Sequence, residues 1–215
     1  MRPLRTSAAV LTAALIAAGC SGGGSDDKSS GSGSPFQITN LTPAAKGPVD
    51  KVKWSLYAEP QTLDYAYAFD YPINTVLANV CENLLRLTPE MKIEPGLAEK
   101  FTNPDPLTWV YTLRDGVKFH DGTPLTPRDV VASLNRHRDP AVGSSYSTVF
   151  KDVESITETG PREVTVKLTR PNVLLNEQLS ATPGIIESAD FLAKAGKDYG
   201  NPQGGVDCTG PFAVK

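Results

Sequence analysis

The chain has 215 residues, with 21 Lys and Arg against 24 Asp and Glu, a formal charge of −3, and 40% apolar and 21% charged residues. These are ordinary globular proportions, and no basic patch with interleaved aromatics occurs, so nucleic acid is not an expected partner. Without Arg2 and Arg5, 19 basic residues face 24 acidic ones, about −5 by count.

At the N-terminus Arg2 and Arg5 precede an apolar run from Ala8 to Ala18. That run is too short for a comfortable permanent span and reads as an export signal. Ala17-Ala18-Gly19 then leads to Cys20, the pattern of a lipoprotein signal in which the cysteine thiol is acylated. The pattern prefers leucine where Ala17 stands, and an ordinary secretory signal with a chance cysteine is the alternative. The Ser/Gly run that follows immediately favours the lipoprotein. The expected organisation is a signal over 1–19, a lipid-anchored flexible tether over 20–48, and a folded part from Val49 to Lys215. It places the protein outside the cytoplasm, on the outer face of a bacterial cell membrane.

Lys51-Val52-Lys53-Trp54-Ser55-Leu56 alternates and predicts a strand. A loop over Glu59–Asp64 and the segment Ala68-Phe69-Asp70-Tyr71-Pro72 follow. Ile73, Val76, Leu77, Val80, Leu84 and Leu85 recur at helical spacing and predict a helix from Asn74 to about Leu85. Leu107, Trp109, Tyr111 and Leu113 alternate as a half-buried strand. Asp115-Gly116 supplies a hairpin turn, and Val117 and Phe119 restart the alternation on an expected return strand. Asp121-Gly122 and Pro124 break it again. Thr126, Pro127 and Asp129 then form an N-cap, a first-turn proline and a capping-box acid for a helix carrying Val130, Val131 and Leu134.

Further on, Val153–Ile156 and Val164–Leu168 flank Thr159-Gly160-Pro161 as an antiparallel pair, and Arg170-Pro171-Asn172 ends the second strand. Ser188–Lys194 reads as a short capped helix stopping near Gly196. Thr209-Gly210-Pro211-Phe212 opens an apparent last strand. A smaller subdomain is expected over about Leu87–Val149. With Cys20 acylated, Cys81 and Cys208 remain. Outside the cytoplasm an even remainder favours a structural disulfide over two free thiols, and no Cys/His cluster supports a metal site.

Three ordered pieces carry a family resemblance. They are Thr108 through Val131, Glu82-Asn83-Leu84-Leu85 with Pro95-Gly96-Leu97-Ala98-Glu99, and Thr209-Gly210-Pro211-Phe212. Together they closely resemble the family-5 extracytoplasmic solute-binding proteins, over about Val49–Lys215. In the family a glycine stands where this chain has Cys208, a departure explained if Cys208 is bridged.

The resemblance implies a mixed α/β fold, the first lobe of a two-lobed periplasmic-binding-protein-like structure of the peptide-binding type. Lys215 falls four residues after Pro211 inside the apparent strand, so the first lobe would be truncated before the second. It also implies capture of a peptide or other small solute by lobe closure and delivery to ABC transporter permease subunits. A monomer on a lipid anchor, without cofactor, is expected. The loop after Leu63-Asp64 would line the ligand cleft. Phe69 and Tyr71 would offer apolar contact and Asp70 would meet a ligand amine; loop and packing roles are the even alternative. Tyr146 is a weaker candidate, with a surface loop the plainer reading.

Two other classes compete. An exported hydrolase would need a nucleophile and base, but His-Glu-x-x-His and Walker patterns are absent. Only His120 and His137 could serve as imidazole bases, with Ser133, Ser144 or Ser145 as candidate nucleophiles. His120 beside Asp121 reads as a turn histidine, so no catalytic residue is expected. A surface lipoprotein with a sensing or assembly role would share the anchor and tether.

Overall fold

The computed structural model describes residue 44 and residues 46–215. The expected signal, Cys20 and most of the tether lie outside the described residues. The first regular helix, α1 (Tyr71–Val80), begins where the Asp70 carboxylate accepts from the Tyr71 amide at 2.7 Å, with Pro72 in the first turn. Proline is tolerated there because its missing N–H has no helical partner in any case. The helix therefore starts three residues before the expected Asn74. It also stops earlier, at Val80, and Leu84 and Leu85 serve a different element. Leu85–Leu87 forms β1, antiparallel to β2 (Ile93–Pro95). Both leucines are fully buried in the main core. Hydrophobic spacing could not separate these uses, because Leu84-Leu85 continues the helical period while lying beyond the helix, at the start of β1.

The centre of the fold is an antiparallel sheet in the order β3 (Ala98–Asp105), β4 (Thr108–Leu113), β6 (Glu163–Leu168), β5 (Val153–Gly160). Tyr111 and Leu113 of β4 and Val164, Val166 and Leu168 of β6 are buried, as the period of two requires. Helix α2 (Pro127–Arg136) packs over β5 and β6 and buries Val130 and Leu134. Its start is fixed by Asp129, whose Oδ2 accepts from the Thr126 amide at 2.8 Å and hydroxyl at 2.7 Å. Helix α3 (Leu175–Leu179) is tied to the sheet by Tyr111 Oη donating to Asn176 Oδ1 at 2.7 Å. Helix α4 (Ala189–Ala195) is capped by Ser188, which accepts from the Phe191 amide, and ends at Gly196. The sheet uses residues 98–168, so β5 and β6 complete a unit that the expected subdomain boundary at Val149 would cut.

Three expected strands do not form. Gly116 makes its turn with φ +69°, but 117–119 leaves the sheet with one isolated bridge, Lys118 to Pro124. Both edges of β4 are already taken, by β3 and β6. Residues 51–56 alternate but run as extended coil, with Val52 and Trp54 exposed; no described strand lies alongside to take their backbone hydrogen bonds. Residues 209–215 are likewise coil. This segment lies against the end of α1, where the Gly210 amide donates to Val80 O at 2.9 Å and the Phe212 amide to Asn79 O at 3.3 Å. Only glycine fits at 210, because a Cβ there would sit 2.4 Å from Val80 O.

Two apolar clusters result. The larger joins the sheet, α2, α3 and the Leu84-Leu85 pair. The second gathers Tyr65, Ile73, Leu77, Val80, Ile185 and Tyr199 around Cys81 and Cys208. Those cysteines, 127 positions apart in sequence, are joined by a disulfide with Cα atoms 4.8 Å apart. Among the described residues no helix is long and apolar enough to cross a membrane.

Candidate functional site

The segment leading into α1 is buried at its base and open at its tip. Asp64 Oδ1 accepts from the Ala66 amide at 2.9 Å and starts a 3-10 turn over Tyr65–Tyr67. The same carboxylate takes both Arg136 Nη atoms, each at 2.6 Å. The Arg136 guanidinium lies 5.3 Å from the Tyr65 ring and 5.0 Å from the Tyr199 ring. A planar cation paired at its edge and covered by aromatic faces is a well-compensated way to hold charge inside. Tyr65, Ala66 and Ala68 are wholly buried.

Beyond Ala68 the chain emerges. Phe69 is 76% exposed and Tyr71 56% exposed. Asp70 Oδ1, besides capping α1, accepts from Tyr57 Oη at 2.8 Å. The Tyr57 and Tyr71 rings stack with centroids 6.2 Å apart. The Asp70 carboxylate at its hydroxyl pushes the Tyr57 phenol up. The surface is therefore apolar and aromatic around one carboxylate, suited to an apolar side chain beside an amine. Tyr57 was not anticipated, since it lies 13 positions from Asp70 in sequence. Tyr146 is placed differently from the other candidates. It is half-buried, and its hydroxyl donates to Ala68 O at 2.6 Å. Next to the base of the loop runs an open groove of about 880 Å³, bordered by Asp64, Tyr67, Arg136, Asp139 and Lys197.

The histidines and serines form packing contacts. His137 Nδ1 lies 2.6 Å from Ser144 Oγ, a pairing that spacing did not reveal. Yet His137 is fully buried and Ser144 is 5% exposed. The imidazole is stacked on Phe150, with centroids 5.1 Å apart. Burial, with Arg136 nearby, pushes its pKa down to about 4. A substrate has no approach to this pair. Ser133 Oγ exchanges hydrogen bonds with the Glu187 backbone. His120 Nε2 donates to Gly210 O at 2.8 Å, while Asp121 turns to Thr123, so the adjacent residues do not act as a pair.

Glu187 is the most deeply placed acid. It is fully buried, its Oε2 accepts from the Asp207 amide at 3.1 Å, and its Oε1 lies 2.7 Å from Cys208 Sγ. Burial pushes its pKa up to about 8. Cys81, Glu187 and Cys208 are the one group of potential metal ligands this close among the described residues. The two sulfurs are bonded to each other, so no thiolate is offered to an ion.

Comparison with known proteins gives a consistent picture. The profile of the bacterial extracellular solute-binding proteins, family 5 (middle), matches residues 92–215. The glutathione-binding protein GsiB of Escherichia coli O1:K1 is 33% identical over 155 residues, 71% of this chain and 30% of that protein. The chain thus spans about a third of the length of the curated relatives it matches. Among solved structures, AgaA of A. tumefaciens R10 in complex with agropinic acid aligns at TM-score 0.68 and 32% identity, over 73% of this chain and 31% of that one. Burkholderia pseudomallei OppA aligns at 0.67 and 26%, over 74% and 34%. NikZ of Campylobacter jejuni in complex with Ni(L-His) aligns at 0.63 and 28%, over 74% and 31%.

Proposed function

The chain belongs to the bacterial extracellular solute-binding proteins of family 5, and on that premise we propose that it captures a peptide or related small solute outside the membrane and hands it to the permease of an ABC importer. One observation supports this most directly. Phe69, Asp70 and Tyr71 stand together on an open surface, while Tyr65, Ala66 and Ala68 just before them are buried. Such a surface is half of a binding site. Closure by a second wall would complete it, as in hinged two-lobed binders. Residues 49–215 are the N-terminal lobe in this reading, and the mechanism involves no covalent chemistry. Ligands named for similar proteins span glutathione, agropinic acid and Ni(L-His). The aromatic rim and single carboxylate favour an amine-bearing solute with an apolar portion.

The N-terminus fits the same role. Acylation of Cys20 after removal of 1–19 would hold a monomer to the membrane through the 20–48 tether. Radiolabelled palmitate should enter the wild type and not Cys20→Ser, which should leave the membrane fraction.

The main test is calorimetric titration of the complete protein with reduced glutathione, a neutral tripeptide, agropinic acid and Ni(L-His). Saturable binding of at least one ligand is expected, weakened about ten-fold or more in Phe69→Ala and Asp70→Asn. Heat traces that stay flat with all four, from folded protein, would sink the proposal.

A further inference from the structure

The open tip of the ligand loop rests on a second loop, residues 142–146, which touches three consecutive residues of its base. The Ala66 carbonyl accepts from the Ser145 amide at 2.9 Å and from Ser144 Oγ at 3.2 Å. Tyr67 Oη donates to Val142 O. Tyr146 Oη donates to Ala68 O at 2.6 Å. On the far side, Asp70 is fixed by capping α1 and by Tyr57. Phe69 is the apex between these two clamps, and its side chain is the most exposed of the group.

The supporting loop has a foundation of its own. Ser144 Oγ accepts from the Tyr146 amide at 3.1 Å and meets His137 Nδ1 at 2.6 Å. The His137 ring lies edge-on to Tyr146, with centroids 5.8 Å apart, and edge-on to Tyr65 at 5.1 Å. A neutral, fully enclosed imidazole thus props both loops at once.

We propose that Tyr146 is a positioning residue for the ligand site: it does not touch the solute but, through the Ala68 carbonyl, fixes the backbone that presents Phe69. This rests on the assignment of Phe69–Tyr71 as ligand contacts. A loop ordered before binding loses less conformational freedom when the solute arrives, so Tyr146 acts on affinity without adding a contact. Ordinary loop packing would give the same hydrogen bonds but no selective effect on Phe69.

The deciding variant is Tyr146→Phe, which removes one hydroxyl and keeps the ring against His137. In ligand-free complete protein, hydrogen exchange at the Ala68 and Phe69 amides should quicken about five-fold or more, the factor expected for one neutral hydrogen bond. Exchange in β4 should stay at the wild-type rate. Ser144→Ala, which removes one of the two hydrogen bonds to the Ala66 carbonyl, should act in the same direction. Unchanged exchange at 68–69, or an equal rise throughout the sheet, overturns the proposal. Affinity for reduced glutathione provides a second reading, with about five-fold weaker binding expected. If the wild type ignores glutathione, the function assigned above loses support, whereas the exchange measurement still decides the role of Tyr146.

Discussion

The two cores of this molecule are held by different means. Around the sheet, Leu84, Leu97, Leu113, Leu134, Val164 and Leu168 are packed aliphatic side chains, stabilised by removing apolar area from water, about 2 kcal/mol for each fully buried side chain. Around α1, the smaller cluster mixes apolar groups with a disulfide, the Asp64–Arg136 pair, a buried Glu187 and, at its border, His137. The first core is redundant, since many similar contacts share the load. The second depends on a few specific pairings, each of which leaves a costly remainder when one member is lost. That second region is also the one that carries the proposed ligand loop.

The largest expected effect comes from opening the disulfide. A loop of this span is worth about 4–5 kcal/mol in the chain-entropy description. Cys81→Ala with Cys208→Ala should therefore lower urea-unfolding stability by that order. Hydrogen exchange should quicken first in α1 and 207–212 and only later in β4 and β6. Equal loosening in both regions would break the contrast. Next comes Arg136→Met, which leaves the Asp64 carboxylate buried and unpaired at a cost of about 3 kcal/mol. Thermal unfolding would check this, and the Ala66 amide should exchange faster, because Asp64 holds it. Leu134→Ala tests the sheet core. It should cost about 3 kcal/mol but leave α1 and the ligand loop no more exposed than other regions below the transition.

The response to pH should also belong to the second core. Glu187 has a folded pKa of about 8, above the ordinary carboxylate value. The folded state therefore holds its proton more tightly, and stability from this group is full at acid pH and is lost as pH rises from about 4.5 to about 8. His137 has a folded pKa of about 4. Its contribution is lost as pH falls from about 6.5 to about 4, because the unfolded chain takes up the proton first. Denaturant titrations across pH 4–8 should show Glu187→Gln flattening the decline toward pH 8. A profile identical to wild type would remove Glu187 from the account.

The difference between the cores also explains what the sequence disclosed. Strand β4, the hairpin β5–β6, α2 and α4 were legible because each carries its signal locally, as alternation, a Thr-Pro-x-Asp start or a Ser cap. Strand β3 was not, because it is an edge strand with most residues exposed and Pro104 within it, so it shows little alternation. Residues 51–56 have the alternation but, among the described residues, no neighbouring strand. Asp70-Tyr71-Pro72 does hold a local cap signal that would have moved the start of α1 to its observed place. The proposed ligand loop is singled out through family resemblance, which names Phe69, Asp70 and Tyr71 but not the support beneath them. Asp64–Arg136 and Tyr146–Ala68 join residues 72 and 78 apart. No periodicity reports such pairings, because they are products of the completed fold.

The outer strands of the sheet have a consequence for behaviour at high concentration. An unpaired strand edge can template another chain. On β3 the edge is interrupted by Pro104 and carries Lys100, and Asn103 Nδ2 closes over Asp105 O and Thr108 O at 2.6 and 2.7 Å. On β5 the opposite edge carries exposed Glu154 and Glu158. One rim lacks a donor where a neighbour would need it, and the other repels its own kind, so crowding should not turn this sheet into a seed for aggregation.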